Sequence, residues 1–427
     1  MVRSATLLKA EWLIDGTGAP ALEQGAVLVR DGYIAEIYRG EPLASALPQN
    51  CRTINLLGAT LMPGLIDVHV HICLPANGTV PPRAISEPEG VIQAVALKNA
   101  GVALHAGITT LPDCGGFPDV LSSLRRAIEL GHADGPRLVL AGWPVTISGG
   151  HQHYFGGEAD GADGARTKVR MAAKWGADYV KIIGSGGGTA GTIMWQPSFS
   201  NKEMTALVDE AHRLRRKAVV HSLCAESTAQ AVAAGADEIE HAGFFIGPDT
   251  IRFDPDVGRK IGEAKIPVCP TLSVSRFIID AQPAETDLWE HSLKDDIANA
   301  VALHRLGVAF VAGTDAGWRW SPFSALCTEL QLMNEVGLSQ MECIVAATSR
   351  AAEVLGLKDI TGAIRPALSA DMIAVQGRPD HDLRAISRVV MVMKEGRIHR
   401  YDTDTLQSPA VLQEIGSNAS TTPRLSN

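Results

Sequence analysis

The sequence predicts an α/β fold, a (β/α)8 TIM-like barrel carrying a small β-sandwich-like domain formed from both chain ends. Three observations predict it. Strand-like and helix-like stretches alternate through the middle of the chain, which is the pattern of a parallel sheet. Eight such units fill about 300 residues, and that suits a closed barrel better than an open doubly wound sheet. Both chain ends carry short strands without that alternation, and a closed barrel has no edge to accept them.

Taken in order, Leu7 to Leu13, Ala26 to Arg30, Ile34 to Tyr38 and Thr53 to Asn55 read as strands between Gly, Asp and Pro punctuation. Barrel strands are then expected to end near His69, Asp113, Ala141, Ile183, His221, His241, Pro270 and Thr314. Helices are expected over 90–106, 118–130, 163–175, 201–216, 225–234, 286–306 and 322–335, with another near 256–264. Asp371 to Gln376 and Val389 to Lys394 are again strands, and residues 394–397 read as a turn. The expected organisation is residues 1–60 and 367–405 as the two parts of the small domain, 61–366 as the barrel, and 406–427 as a loose tail rich in Ser, Thr, Asn and Pro.

Of the 427 residues, 46% are hydrophobic and 20% charged, enough apolar material for a large core and too much for a disordered chain. The net charge is −9 and no Lys/Arg cluster reaches the density of a phosphate-binding face, so no nucleic-acid partner is expected. The seven cysteines are scattered, odd in number and without a C-x-x-C, as befits thiols in a reducing compartment. Lys9 and Glu11 interrupt any leader-like apolar run, and no 18-residue apolar stretch follows. The expectation is a cytoplasmic homo-oligomer that acts on a small molecule, away from membranes.

Chemistry enters at Gly64-Leu65-Ile66-Asp67-Val68-His69-Val70-His71. Residues i and i+2 of a strand share a face, so His69 and His71 can aim two imidazoles at one point, where zinc or a similar metal could bind. Alone, the pair could equally be two polar residues at a strand end. His221, His241 and Asp315, however, also stand at strand ends, and in a barrel those ends converge on the active face. Lys181, inside Tyr179-Val180-Lys181-Ile182-Ile183, is a costly charge to bury. It could pair with an inward acid. It could instead lose its proton and react with carbon dioxide, giving an anionic carbamate able to bridge two metals.

The set His69, His71, Lys181, His221, His241 and Asp315 resembles the binuclear branch of the metal-dependent amidohydrolase superfamily. Leu61-Met62-Pro63-Gly64-Leu65-Ile66-Asp67, Ala312-Gly313-Thr314-Asp315-Ala316-Gly317 and Ala370-Asp371-Met372-Ile373-Ala374-Val375 resemble its imidazolonepropionase-like and prolidase-like subgroup. The resemblance spans about residues 5–400. It implies two divalent ions, with zinc expected. His69, His71 and Asp315 would hold one, His221 and His241 the other, with carboxylated Lys181 and a hydroxide between them. It also implies that Asp315 carries the proton from the attacking hydroxide to the leaving amine. The deaminase branch lacks the strand-four Lys and has a Glu soon after the strand-five His. Here Lys181 is present and Ser222-Leu223-Cys224 follows His221, which favours amide-type hydrolysis.

Loops supply further candidates. Gly149-Gly150-His151-Gln152-His153-Tyr154 resembles the subgroup's Gly-Gly-His segment, whose His contacts substrate; His151 could act catalytically by hydrogen-bonding the carbonyl oxygen as charge develops, or these could be surface-loop histidines. His153 is an additional substrate-binding candidate. Trp195, Trp318 and Trp320 follow strands four and eight and could wall an apolar or aromatic substrate, or could pack a rim or a subunit interface. Arg319 or Arg276 could clamp a substrate carboxylate. The stretch Gly186-Gly187-Gly188-Thr189-Ala190-Gly191 fits G-x-G-x-x-G, but no helix opens at once, so a substrate loop is expected. A serine elbow is absent. The resulting expectation is a hydrolase of N-acyl amino acids, dipeptides such as Xaa-Pro, or aryl amides or carbamates. Ring opening of an imidazolone or cyclic amide is the alternative, and a non-catalytic scaffold would have lost the ligand set.

Overall fold

The computed structural model describes residues 5–248, 250–282 and 286–402; the tail expected over 406–427 lies outside them. The fold is α/β and TIM-barrel-like. Leu65–Ile66, Ile108–Asp113 and Arg137–Leu140 pair in parallel, as do Tyr179–Ile183, Lys217–Ser222, Glu238–His241 and Val268–Cys269. Parallel bridges join Val145 to Ile182, Val268 to Phe310 and Val70 to Ala316, and Val68 N–H donates to the Ala312 carbonyl at 3.0 Å. The eighth segment, expected as a strand over 308–314, thus pairs through single bridges rather than a regular ladder.

Every expected helix forms: Glu89–His105, Pro118–Glu129, Gly161–Trp175, Asn201–Arg213, Ala225–Ala234, Pro255–Ala264, Thr286–Arg305 and Leu326–Val336. Start signals explain several. Ser200 and Glu203 form a reciprocal capping box, and Asp254 caps a helix that opens on Pro255. Short helices Ser273–Ala281, Gln340–Ala346 and Ser349–Val354 are additional. The helices cover the strands with apolar faces, so Leu104, Leu124, Val169, Leu207, Ile261 and Leu330 share one continuous core.

The chain ends meet in one eight-stranded sheet. Its order is Arg397–Tyr401, Val389–Lys394, Met372–Gln376, Cys51–Pro63, Ala5–Leu13, Gly25–Arg30 and Tyr33–Arg39, with Leu22–Glu23 beside Ala5–Leu13. Cys51–Pro63 joins the two ends: it runs parallel to Ala5–Leu13 and antiparallel to Met372–Gln376. Only Thr53 to Asn55 of it read as a strand in the sequence, because Leu57 and Gly58 break the alternation. Leu8, Leu56, Leu61, Met372 and Met391 pack on one side, and Ala5, Leu7, Ala26 and Leu28 on the other. No helix among the described residues is long and apolar enough to cross a membrane.

Candidate metal centre

The His-x-His segment is pinned to the eighth segment before any side chain meets a ligand. Asp67, fully buried, accepts from Thr314 Oγ1 at 2.6 Å, Thr314 N–H at 3.0 Å and His69 N–H at 3.3 Å. His71 N–H donates to the Ala316 carbonyl at 2.8 Å. The two segments are 247 positions apart in sequence, yet these bonds bring Asp315 Oδ1 to 3.5 Å from His69 Nε2 and 3.4 Å from His71 Nε2. Ligand atoms of His69, His71 and Asp315 lie within 4.8 Å of one another.

His221 and His241 complete the ring. The His221 and His241 centroids are 4.7 Å apart, and His241 lies 5.1 Å from His69. Alternation alone would turn His241 away, since its neighbour Glu240 points into the barrel. The backbone corrects this: His241 has φ +66° and Ala242 φ +51°, a left-handed turn that swings the imidazole inward. Gln152 (φ +59°), Thr271 (+51°) and Asp315 (+51°) are bent the same way. Each such residue costs about 1–3 kcal/mol of strain, and such strain collects at working sites.

Lys181 is fully buried among these groups, and its Nζ contacts the Glu240 carboxylate. The inward acid that the sequence left open is therefore present. Burial lowers the Lys181 ammonium below its ordinary range. Burial, with the nearby Lys181 charge, also lowers His71 to about 3 and His69 well below its usual value. His221 and His241 are depressed too, mainly by burial. The imidazoles are thus held neutral, the form that ligates metals. Asp315 Oδ1 is buried without a hydrogen-bond partner, and burial raises its carboxyl to about 7. A divalent cation would satisfy this oxygen and the converging ring nitrogens together, so the donor set fits metal ions.

Bonds behind the imidazoles orient them. His71 Nδ1 meets the Gly115 carbonyl at 3.2 Å, His221 Nε2 the Gly186 carbonyl at 3.2 Å, and His241 Nδ1 the Thr271 hydroxyl at 2.7 Å. His151 is buried, 4.9 Å from the His221 ring, with Nδ1 2.7 Å from Thr189 Oγ1. Gln152, passed over in the sequence, brings its amide nitrogen to 3.2 Å from His71 Nε2. Glu240 was also passed over, because an acid inside a strand carries no motif.

The histidines and Asp315 floor a cavity of about 410 Å³. Gly187, Gly188 and Thr189 line it, and Trp318 and Arg319 stand in its wall. Trp289 was missed. It follows an acid-rich stretch without a strand-end signal, yet its ring lies 6.4 Å from Trp318, and Arg319 stacks 5.2 Å over Trp318. Four expected contacts stand outside the cavity lining. Trp195 is 37% exposed, because Thr192 Oγ1 bonds the Gly187 and Thr189 carbonyls and folds the loop back on itself. Trp320 packs against Gly78, where an added Cβ would sit 2.2 Å from the indole. Arg276 is exposed on helix Ser273–Ala281, and His153 rests edge-on against Tyr154.

Comparison with known proteins gives the family. The amidohydrolase family model matches residues 60–399. Ochratoxinase of Aspergillus niger is 25% identical over 442 aligned positions, covering 92% of this chain and 86% of its own. Imidazolonepropionase of Mesorhizobium japonicum is 25% identical, covering 84% and 88%. A crystal structure of a Xaa-Pro dipeptidase with methionine bound in its active site superposes with TM-score 0.82 at 27% identity, covering 93% of this chain and 100% of that one. The chain belongs to the amidohydrolase family, in its prolidase-like and imidazolonepropionase-like part, and is a hydrolase acting on C–N bonds.

Proposed function

We propose that this chain is a binuclear metal-dependent hydrolase of an amide-type C–N bond, built on a closed barrel with the chain ends as a separate small domain. The observation that carries the reading is the convergence of four buried imidazoles and the partnerless Asp315 oxygen at the floor of one cavity. His69, His71 and Asp315 would hold one ion, and His221 and His241 the second, with carboxylated Lys181 between them; zinc is the expected metal. When bound, two such ions activate water and polarise a carbonyl. Asp315 takes the proton of the attacking water and passes it to the leaving amine. The Thr189 hydroxyl fixes His151 through Nδ1, which leaves the far side of its ring to donate to the carbonyl oxygen as charge develops.

The cavity wall argues for the substrate. Leu223, Phe245, Ile251, Val274, Trp289 and Trp318 make it largely apolar, which suits an N-acyl amino acid, a dipeptide or an aryl amide with a bulky group. The similarity to ochratoxinase and to a Xaa-Pro dipeptidase supports that range. The test is a panel of N-acyl amino acids, dipeptides, aryl amides and cyclic amides, assayed with zinc-loaded protein. His69→Ala and His241→Ala should lower metal content and abolish turnover. Asp315→Asn should lower kcat by about 10²–10⁴-fold. Full metal occupancy and normal turnover in both histidine variants would end the proposal.

A further inference from the structure

We infer that Glu240 is a positioning residue of the metal centre, holding His69 and Lys181 from behind so that both present their ligating ends to the metals. The inference rests on the binuclear reading above and goes beyond it, because Glu240 is not among the ligands that reading uses.

Glu240 is fully buried on strand Glu238–His241 and points into the barrel. One carboxylate oxygen lies 3.1 Å from His69 Nδ1 and accepts from Cys114 Sγ at 3.2 Å. The other contacts Lys181 Nζ. The register explains the reach: Val219 pairs with Lys181 on one side and with Glu238 on the other, and His221 pairs with Glu240. Glu240 therefore spans from its own strand across to the fourth strand and back to the first.

A buried carboxylate is expensive unless neighbouring donors compensate it. Cys114 is a weak donor, so the Nδ1–H of His69 and the N–H that Lys181 Nζ keeps even when carboxylated are the donors that make this carboxylate tolerable. The dependence runs both ways. His69 faces Asp315 with Nε2 at 3.5 Å, so its Nδ1 is the nitrogen left to face the protein. A carboxylate behind Nδ1 keeps the proton there and leaves Nε2 bare for a metal, the arrangement by which carboxylates orient metal-bound imidazoles. The 3.1 Å approach is within ion-pair distance without being an aligned hydrogen bond. The contact to Nζ fixes the end of the Lys181 chain at the same time. Tyr179 holds the far side of the unit, donating its hydroxyl to the Asp113 carbonyl at 2.7 Å and lying 3.4 Å from Cys114 Sγ.

The experiment compares wild type, Glu240→Gln and Glu240→Asp. Its readouts are zinc affinity by chelator competition, the absorption spectrum of the cobalt-substituted protein, and thermal unfolding of the metal-free protein. Removing the charge in Glu240→Gln should weaken metal binding by about 10–100-fold and alter the cobalt spectrum. A merely structural role would lower the unfolding temperature and leave the affinity of the folded protein alone. Glu240→Asp keeps the charge but is one methylene shorter and cannot reach both partners, so an intermediate loss is expected. It carries the test if the Gln variant does not fold. A Gln variant within threefold of wild-type affinity, or an Asp variant indistinguishable from wild type when Gln cannot be made, overturns the role of Glu240. Wild type that binds no pair of metals overturns this inference together with the binuclear reading. Wild type that binds two metals while the variants bind them equally overturns the inference alone.

Discussion

Replacing Trp318 with Ala should change which substrates the enzyme prefers, and the structure sets the size of the effect. The indole lines the same cavity as Asp315. It packs edge-on against Trp289 with centroids 6.4 Å apart, and the Arg319 guanidinium lies 5.2 Å above it. Losing an aromatic pair costs about 0.5–1.5 kcal/mol and losing an exposed cation–π contact about 0.5–1 kcal/mol. The fold should therefore lose only about 1–2.5 kcal/mol, small enough to leave the enzyme assayable. The substrate loses more. An aryl group resting on the indole forfeits about 1.5–3 kcal/mol of apolar burial, which is about a ten- to hundredfold drop in kcat/KM at 1.4 kcal/mol per decade. A formyl or acetyl substrate cannot reach the wall and should lose little. The assay is kcat/KM across substrates of increasing acyl or aryl size, with metal content measured in parallel and expected unchanged. Trp289→Ala should behave similarly, and the double variant should be non-additive because the rings touch. Trp195→Ala and Trp320→Ala are the controls, since neither indole lines the cavity; the second should cost stability through its packing on Gly78. Equal losses for small and large substrates in Trp318→Ala would refute the aromatic wall and leave a structural rim.

Three further outcomes are expected. Thr271→Val removes the hydroxyl that meets His241 Nδ1 at 2.7 Å while keeping the shape, and should weaken metal binding about 10–100-fold by chelator competition; unchanged affinity would show the bond to be idle. Gly317 has φ +99°, and an added Cβ would lie 2.2 Å from the His71 carbonyl oxygen, so Gly317→Ala should destabilise by about 2–3 kcal/mol in denaturant titration, and a wild-type midpoint would contradict the geometry. Burial raises the Glu329 carboxyl from 4.5 to about 7, against the lowering pull of the Ser273 and Leu272 N–H groups. The folded state thus holds this proton more tightly than the unfolded chain. Its contribution is full below pH 4.5 and is lost as pH climbs towards 7, by about 3 kcal/mol. Glu329→Gln should flatten that slope in metal-free protein, and an unchanged slope would exclude Glu329 as its source.

Residue type and local period picked out, before any tertiary information, the side chains that the structure brings together in the candidate metal centre. His69 and His71 follow from the two-residue period of a strand, and His221, Asp315 and Lys181 from strand ends and one buried charge. The helices were legible for the same reason, since apolar spacing and caps such as Ser200 with Glu203 act within a few residues. Legibility stopped where the cause is a distant contact. Pairing of Cys51–Pro63 with both chain ends overrode a sequence that reads as strand over only three residues. Trp289 joins Trp318 because the helix Thr286–Arg305 meets the turn that follows the eighth segment, and Trp195 leaves the site because its loop closes on its own carbonyls.

His241 marks the division most clearly. Its place at the end of a strand can be read from the chain, but alternation would have pointed it away from the other imidazoles, and only the left-handed backbone at His241 and Ala242 turns it in. Glu240 is the converse. Nothing local distinguishes it from any acid in a strand. Its meaning comes from His69 and Lys181, carried to it by two other strands, because burial without those partners would have made its charge intolerable.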